Sequence, residues 1–103
     1  MGIDVQDAFN PLGAHKQNSS LSSAVTLSPS SDSADGATLL KLQAFTQNIR
    51  YTLDGTDPTS SKGFQLVAAA EPITLSIRAG TTVKIIEEML GASIEYQWGK
   101  SLD

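Results

Sequence analysis

Cysteine is absent, histidine occurs once, and aromatic residues make up only 6% of the 103 positions. Without cysteine there is no disulfide framework, no thiolate-ligated zinc or iron–sulfur cluster, and no thiol nucleophile. The single histidine, His15, excludes a His-rich metal site and a relay of imidazoles. Charge is also sparse, with 7 Lys and Arg against 11 Asp and Glu, a net of −4. The basic residues are scattered and do not interleave with aromatics, so the footprint of a nucleic-acid-binding surface is missing. No apolar run approaches the roughly 18 residues of a membrane span, so no membrane partner is expected. Phosphate loops, dinucleotide fingerprints and nucleophile elbows are missing too. What is there is one domain's length of chain, 40% apolar, enough for a single packed core.

The chain divides by texture. Residues 1–22 show neither helical nor strand period and carry turn chemistry at Asn10-Pro11, Leu12-Gly13 and Gln17-Asn18-Ser19-Ser20. Met1-Gly2-Ile3-Asp4-Val5 has an acid where a secretory leader has a base, so no leader is expected. The sparse apolar residues cannot offset the ordering entropy of this segment alone. It reads either as a tail or as an extended N-terminal arm that orders against a partner through Val5, Phe9 and Leu12. The sandwich domain is expected over 23–103. Within it Ala24-Val25-Thr26-Leu27 is a short β-like run, and the Ser- and Asp-rich stretch 28–36 reads as a loop.

From Ala37 the pattern sharpens. Leu40, Leu42 and Ala44 share one face; so do Ile49, Tyr51 and Leu53; Ile73, Leu75 and Ile77; and Ile94, Tyr96 and Trp98. Alternation at period two with one wet face marks antiparallel sheets packed on one side, and short strands between turn-rich separators predict an all-β sandwich. The expected core is Leu42, Tyr51, Leu53, Leu75, Ile77, Val83, Ile85, Ile94 and Tyr96. Residues 82–87 favour a strand followed by a turn at 88–91, because Val83, Ile85 and Ile86 are β-branched. A helix, with Val83, Ile86 and Leu90 on one face and Gly91 as its cap, is the alternative.

The stretch Ile49-Arg50-Tyr51-Thr52-Leu53-Asp54-Gly55-Thr56-Asp57-Pro58-Thr59, followed by Pro72-Ile73 and Thr82-Val83-Lys84, resembles the chitobiase/β-hexosaminidase C-terminal domain family. That resemblance, over about 37–98, implies a single antiparallel immunoglobulin- or fibronectin-like β-sandwich. The wider pattern adds Gly63-Phe64, Lys84-Ile85-Ile86-Glu87-Glu88 and Tyr96-Gln97-Trp98-Gly99. It is similar to small virion proteins of tailed bacteriophages.

The motif's own chemistry reads as a structural turn at Asp54, Gly55, Asp57 and Pro58: glycine takes positive φ at low cost, and Asp side chains accept nearby backbone N–H groups. Calcium ligation by Asp54 and Asp57 is the competing reading, but the graded spacing of a calcium loop is missing. Glu87 and Glu88 are adjacent, so in a strand they point to opposite faces and make no carboxylate pair. His15 lies far in sequence from any convincing nucleophile, and reads as a bystander. Tyr96 and Trp98 have core spacing with Ile94, and exposure as sugar-stacking platforms is the alternative.

No catalytic residue, metal or cofactor is expected, and the chain is expected not to be an enzyme. The virion resemblance implies a structural protein, most simply a capsid decoration (head-stabilising) protein held by its arm and sandwich surface. Its expected partner is the major capsid or another virion protein, with a homo-oligomer or many copies per particle and a location in the virion. A head-to-tail or tail component, or a carbohydrate-binding accessory module, are the alternatives.

Overall fold

The computed structural model describes residues 9–78 and 81–101. Eight strands follow one another: β1 (Asn10–Asn18), β2 (Val25–Leu27), β3 (Leu39–Phe45), β4 (Ile49–Thr52), β5 (Phe64–Leu66), β6 (Ile73–Ser76), β7 (Val83–Glu87) and β8 (Ser93–Lys100). They form two four-stranded sheets, ordered β1-β8-β3-β6 and β2-β7-β4-β5. Every strand pair is antiparallel. The fold is an all-β sandwich, and no α-helix occurs among the described residues.

The period-two pattern creates the core directly. Leu40, Leu42 and Ala44 of β3, Ile94, Tyr96 and Trp98 of β8, and Val83 and Ile85 of β7 alternate between buried and partly wet neighbours and join one apolar cluster drawn from both sheets. Of the expected core, Leu42, Ile77, Val83, Ile85, Ile94 and Tyr96 are buried, and Tyr51, Leu53 and Leu75 are half-buried around it. Residues 83–87 are a strand, paired with both β2 and β4. The β-branched side chains there lie on a pleated surface that suits them better than a helix would.

The N-terminal boundary differs from the expectation. Residues 10–18, read as part of an extended arm over 1–22, pair with β8 from Asn10↔Lys100 to Asn18↔Ile94. Leu21 is buried in the core, and its carbonyl accepts the Glu87 N–H at 3.0 Å. Residues 10–21 therefore belong to the sandwich, and the domain does not begin at 23. The register of β1 shifts between Leu12 and Lys16, around Gly13 at φ +71°. Such a bulge breaks the alternation that would have marked a strand.

Two further elements carry little sequence signal. β5 is three residues long, and the stretch 28–36 contains a 3-10 turn at Ser30–Asp32.

Candidate functional site

The Asp-Gly-Thr-Asp-Pro stretch is not the tip of a two-residue hairpin: residues 53–63 join β4 to β5 as a longer loop. Thr52, the last residue of β4, is buried and donates its hydroxyl to the Thr56 carbonyl. Asp54 Oδ1 accepts the Thr56 N–H at 3.0 Å, closing an Asx turn in which Gly55 sits at φ +88°. That hydrogen bond holds the Asp54 carboxyl below the ordinary range, with the Thr56 hydroxyl and Lys62 helping. The Thr82 N–H then donates to the Leu53 carbonyl at 3.3 Å, and Asp57 Oδ1 accepts from Lys84 Nζ at 2.8 Å. Pro58 is buried beside this pair in sequence, while Asp57 itself stays exposed.

The tertiary structure thus joins the two halves of the motif. Thr82 and Lys84 are the partners of Leu53 and Asp57, so Thr82-Val83-Lys84 meets the loop where the chain enters β7. The four turn residues Asp54, Gly55, Asp57 and Pro58 shape that loop. The carboxylates of Asp54 and Asp57 are committed to different donors, and no group of three or more potential metal-ligating side chains occurs among the described residues.

A second polar cluster was not legible in the sequence. Asp32, on the 3-10 turn, accepts the Trp98 indole N–H at 2.8 Å and the Tyr96 hydroxyl at 3.0 Å, both on Oδ2. Lys16 Nζ stands 3.8 Å from its other oxygen. Trp98 is 1% exposed, which settles its side of the sandwich as the core. The Tyr96 and Trp98 rings meet edge to face at 6.1 Å. Burial pushes the Tyr96 phenol up, and its bond to the Asp32 carboxylate adds to the shift. The one available signal was indirect: a buried tryptophan needs an acceptor for its N–H.

The remaining candidates for chemistry serve the scaffold. Glu87 Oε1 accepts the N–H groups of Gly91 and Ala92, fixing the β7–β8 turn. Glu88 Oε2 accepts from Arg50 Nε and from Gln65 Nε2, and the Gln65 bond leads in holding its carboxyl low. Arg50 also donates to the Gly63 carbonyl at 3.0 Å. His15 Nε2 lies 2.8 Å from Glu95 Oε1 on the open face of β1 and β8.

Of the three expected arm anchors, Val5 lies outside the described residues. Phe9 rests on Gly99, its ring filling the space that a Cβ there would need, and Lys41 Nζ lies 4.8 Å from its ring centre. Leu12 is opposite Trp98 and packs against the core. Phe9 and Leu12 are therefore seated on their own sandwich.

One surface feature stands apart. Phe64, 63% exposed, and Tyr51 have ring centres 5.6 Å apart. With Leu53, Asp54, Thr56 and Lys62 they border a depression of about 290 Å³.

The family model described as Fn3 associated matches residues 40–95. The chain belongs to the Fn3 associated family. The matched span of this Fn3 associated sandwich runs from within β3 to within β8, and so takes in the motif loop and the Thr-Val-Lys strand but not β1 or β2. It establishes the fibronectin-like side of the resemblance. No curated protein and no solved structure matches the chain.

Proposed function

We propose that this Fn3 associated sandwich is a non-enzymatic structural protein of a tailed-phage virion, a decoration protein on the outer face of the capsid. The observation that supports it is the use of the pattern shared with small virion proteins. Each acid in that pattern is bonded within the sandwich: Asp54 to Thr56, Asp57 to Lys84, Glu87 to the turn, Glu88 to Arg50 and Gln65. A pattern spent on shaping a scaffold suits a protein whose product is a surface rather than a reaction. Because Phe9 and Leu12 are occupied in the fold, attachment falls to the sandwich surface and to the residues before Phe9, Val5 among them. Many copies on one shell raise the effective concentration, so a weak contact per copy suffices.

Quantitative mass spectrometry of purified virions tests this. Peptides of the protein at a stoichiometry commensurate with the capsid protein are expected. Absence from the particles overturns the reading, and a few copies per particle favours a head-to-tail or tail position instead.

A second reading, a carbohydrate-binding accessory module, rests on the exposed Phe64 beside Tyr51 at the depression, an arrangement on which a sugar ring can stack. Titration with soluble oligosaccharides, with Phe64→Ala as the comparison, separates it from the first.

A further inference from the structure

A sandwich of two open sheets has four edge strands, and unpaired edges invite further strands unless they are blunted. Three of the four are blunted here. β2 and β5 are three residues long, and β1 carries Pro11 and the register shift around Gly13. The fourth, β6, reads Ile73-Thr74-Leu75-Ser76, with no charge, bulge or proline inside it.

The direction of its backbone groups follows from the pairing. The Ile77 N–H donates to the Thr38 carbonyl at 2.7 Å, continuing the register Leu39↔Ser76 and Leu40↔Leu75. In an antiparallel ladder, the residues whose groups face the partner alternate. Ile73, Leu75 and Ile77 therefore address β3, and Thr74 and Ser76 turn their N–H and C=O groups outward. Both are exposed, while Ile73 and Leu75 on the core side are only half-buried.

We infer that β6 is a pairing edge for a second copy of this chain, joined antiparallel about a two-fold axis at Leu75. Thr74 of one copy then exchanges both backbone hydrogen bonds with Ser76 of the other, and the reverse, so all the outward groups are satisfied. Leu75 faces its own counterpart as a non-hydrogen-bonded pair, where side chains approach most closely. Its half-exposed apolar surface is covered.

Charge selects this partner. The edge begins after Glu71 and ends before Arg78, both exposed, and neither forms an ion pair among the described residues. In that register Arg78 of each copy falls opposite Pro72 of the other, one residue from Glu71, so opposite charges lie near one another at both ends of the pairing. The two first sheets become one eight-stranded sheet. The interface is isologous, so it closes at two copies. This inference does not rest on the virion reading.

Sedimentation equilibrium of the full chain tests it. A concentration-dependent monomer–dimer equilibrium is expected. Glu71→Arg or Arg78→Glu alone should weaken it roughly tenfold, because each turns two attractions between nearby charges into two repulsions. The double reversal E71R/R78E should restore it. Thr74→Pro removes an outward N–H without touching the β3 ladder, and should also weaken association. Circular dichroism of each variant confirms that it is folded. The charge variants alter only exposed side chains, so they keep the test open should Thr74→Pro misfold. A monomer at all concentrations overturns the inference. So does a dimer that none of these changes affects, or one that the double reversal fails to restore.

Discussion

The indole N–H of Trp98 donates to Asp32 Oδ2 at 2.8 Å, tying the last strand of the first sheet to a turn 66 residues earlier in the chain. The Tyr96 hydroxyl reaches the same oxygen at 3.0 Å, so one carboxylate satisfies the polar ends of both buried aromatics of β8. Without an oxygen at this position the two buried donors would lose the acceptor they share.

Removing that acceptor should be costly. Asp32→Ala leaves two donors unpaired and is expected to destabilise by about 2–4 kcal/mol, whereas Asp32→Asn keeps an acceptor oxygen and should cost less. Trp98 is the single tryptophan, so its fluorescence follows urea unfolding directly. Equal midpoints for wild type and Asp32→Ala would show that the bond contributes nothing.

The two tyrosines set the alkaline behaviour. Burial pushes up both Tyr96 and Tyr51, and the Asp32 carboxylate pushes Tyr96 further. Below the ordinary phenol value of 10.0, both folded and unfolded chains are protonated and the stabilisation is complete. Above it the unfolded chain releases its protons first, so stability falls as pH rises. Tyrosinate absorbance of the native protein should stay flat through pH values where free tyrosine ionises, then rise together with unfolding. A normal titration without unfolding contradicts this.

At Gly55 the constraint is backbone conformation and not space. Its φ is +88°, yet an added Cβ would meet only Thr82 Cβ at 3.9 Å. Gly55→Val is expected to destabilise by roughly 1 kcal/mol or more, and Gly55→Asn by less, since asparagine tolerates left-handed φ. The denaturation midpoints of the two variants order them.

The motif loop offers a contrast between a buried and an exposed bond. Asp57 is 73% exposed, so Asp57→Ala should cost no more than about 1 kcal/mol and less in high salt. Thr52→Val, which strips the hydroxyl from a buried position, should cost about 1–3 kcal/mol and be insensitive to salt. Thermal melts at two ionic strengths distinguish them.

Truncation tests the corrected domain boundary. Deleting residues 1–20 removes β1, exposes the edge of β8, and takes away Lys16 from Asp32 and the Leu12 and Gly13 carbonyls from Gln97 Nε2. A marked loss of stability is expected. An unchanged melting temperature would return residues 10–18 to the role of a detachable arm.

The sequence by itself determined what depends on neighbours along the chain. The alternation of Leu40, Leu42 and Ala44, and of Ile94, Tyr96 and Trp98, dictates strands with one buried face. The β-branched run at 83–86 dictates a strand over a helix, and Asp54-Gly55 dictates a positive-φ turn. Tertiary structure alone decided what depends on distant partners. β1 was hidden because an edge strand with a bulge need not alternate, and it is held by pairing with β8 at the far end of the chain. Asp32 was hidden in a serine-rich loop because its role exists only where Tyr96 and Trp98 end. Lys84 could be read as a strand residue but not as the partner of Asp57. Local periodicity is written into each segment by the geometry of the backbone, whereas hydrogen bonds and ion pairs between segments are chosen only when the sheets come together.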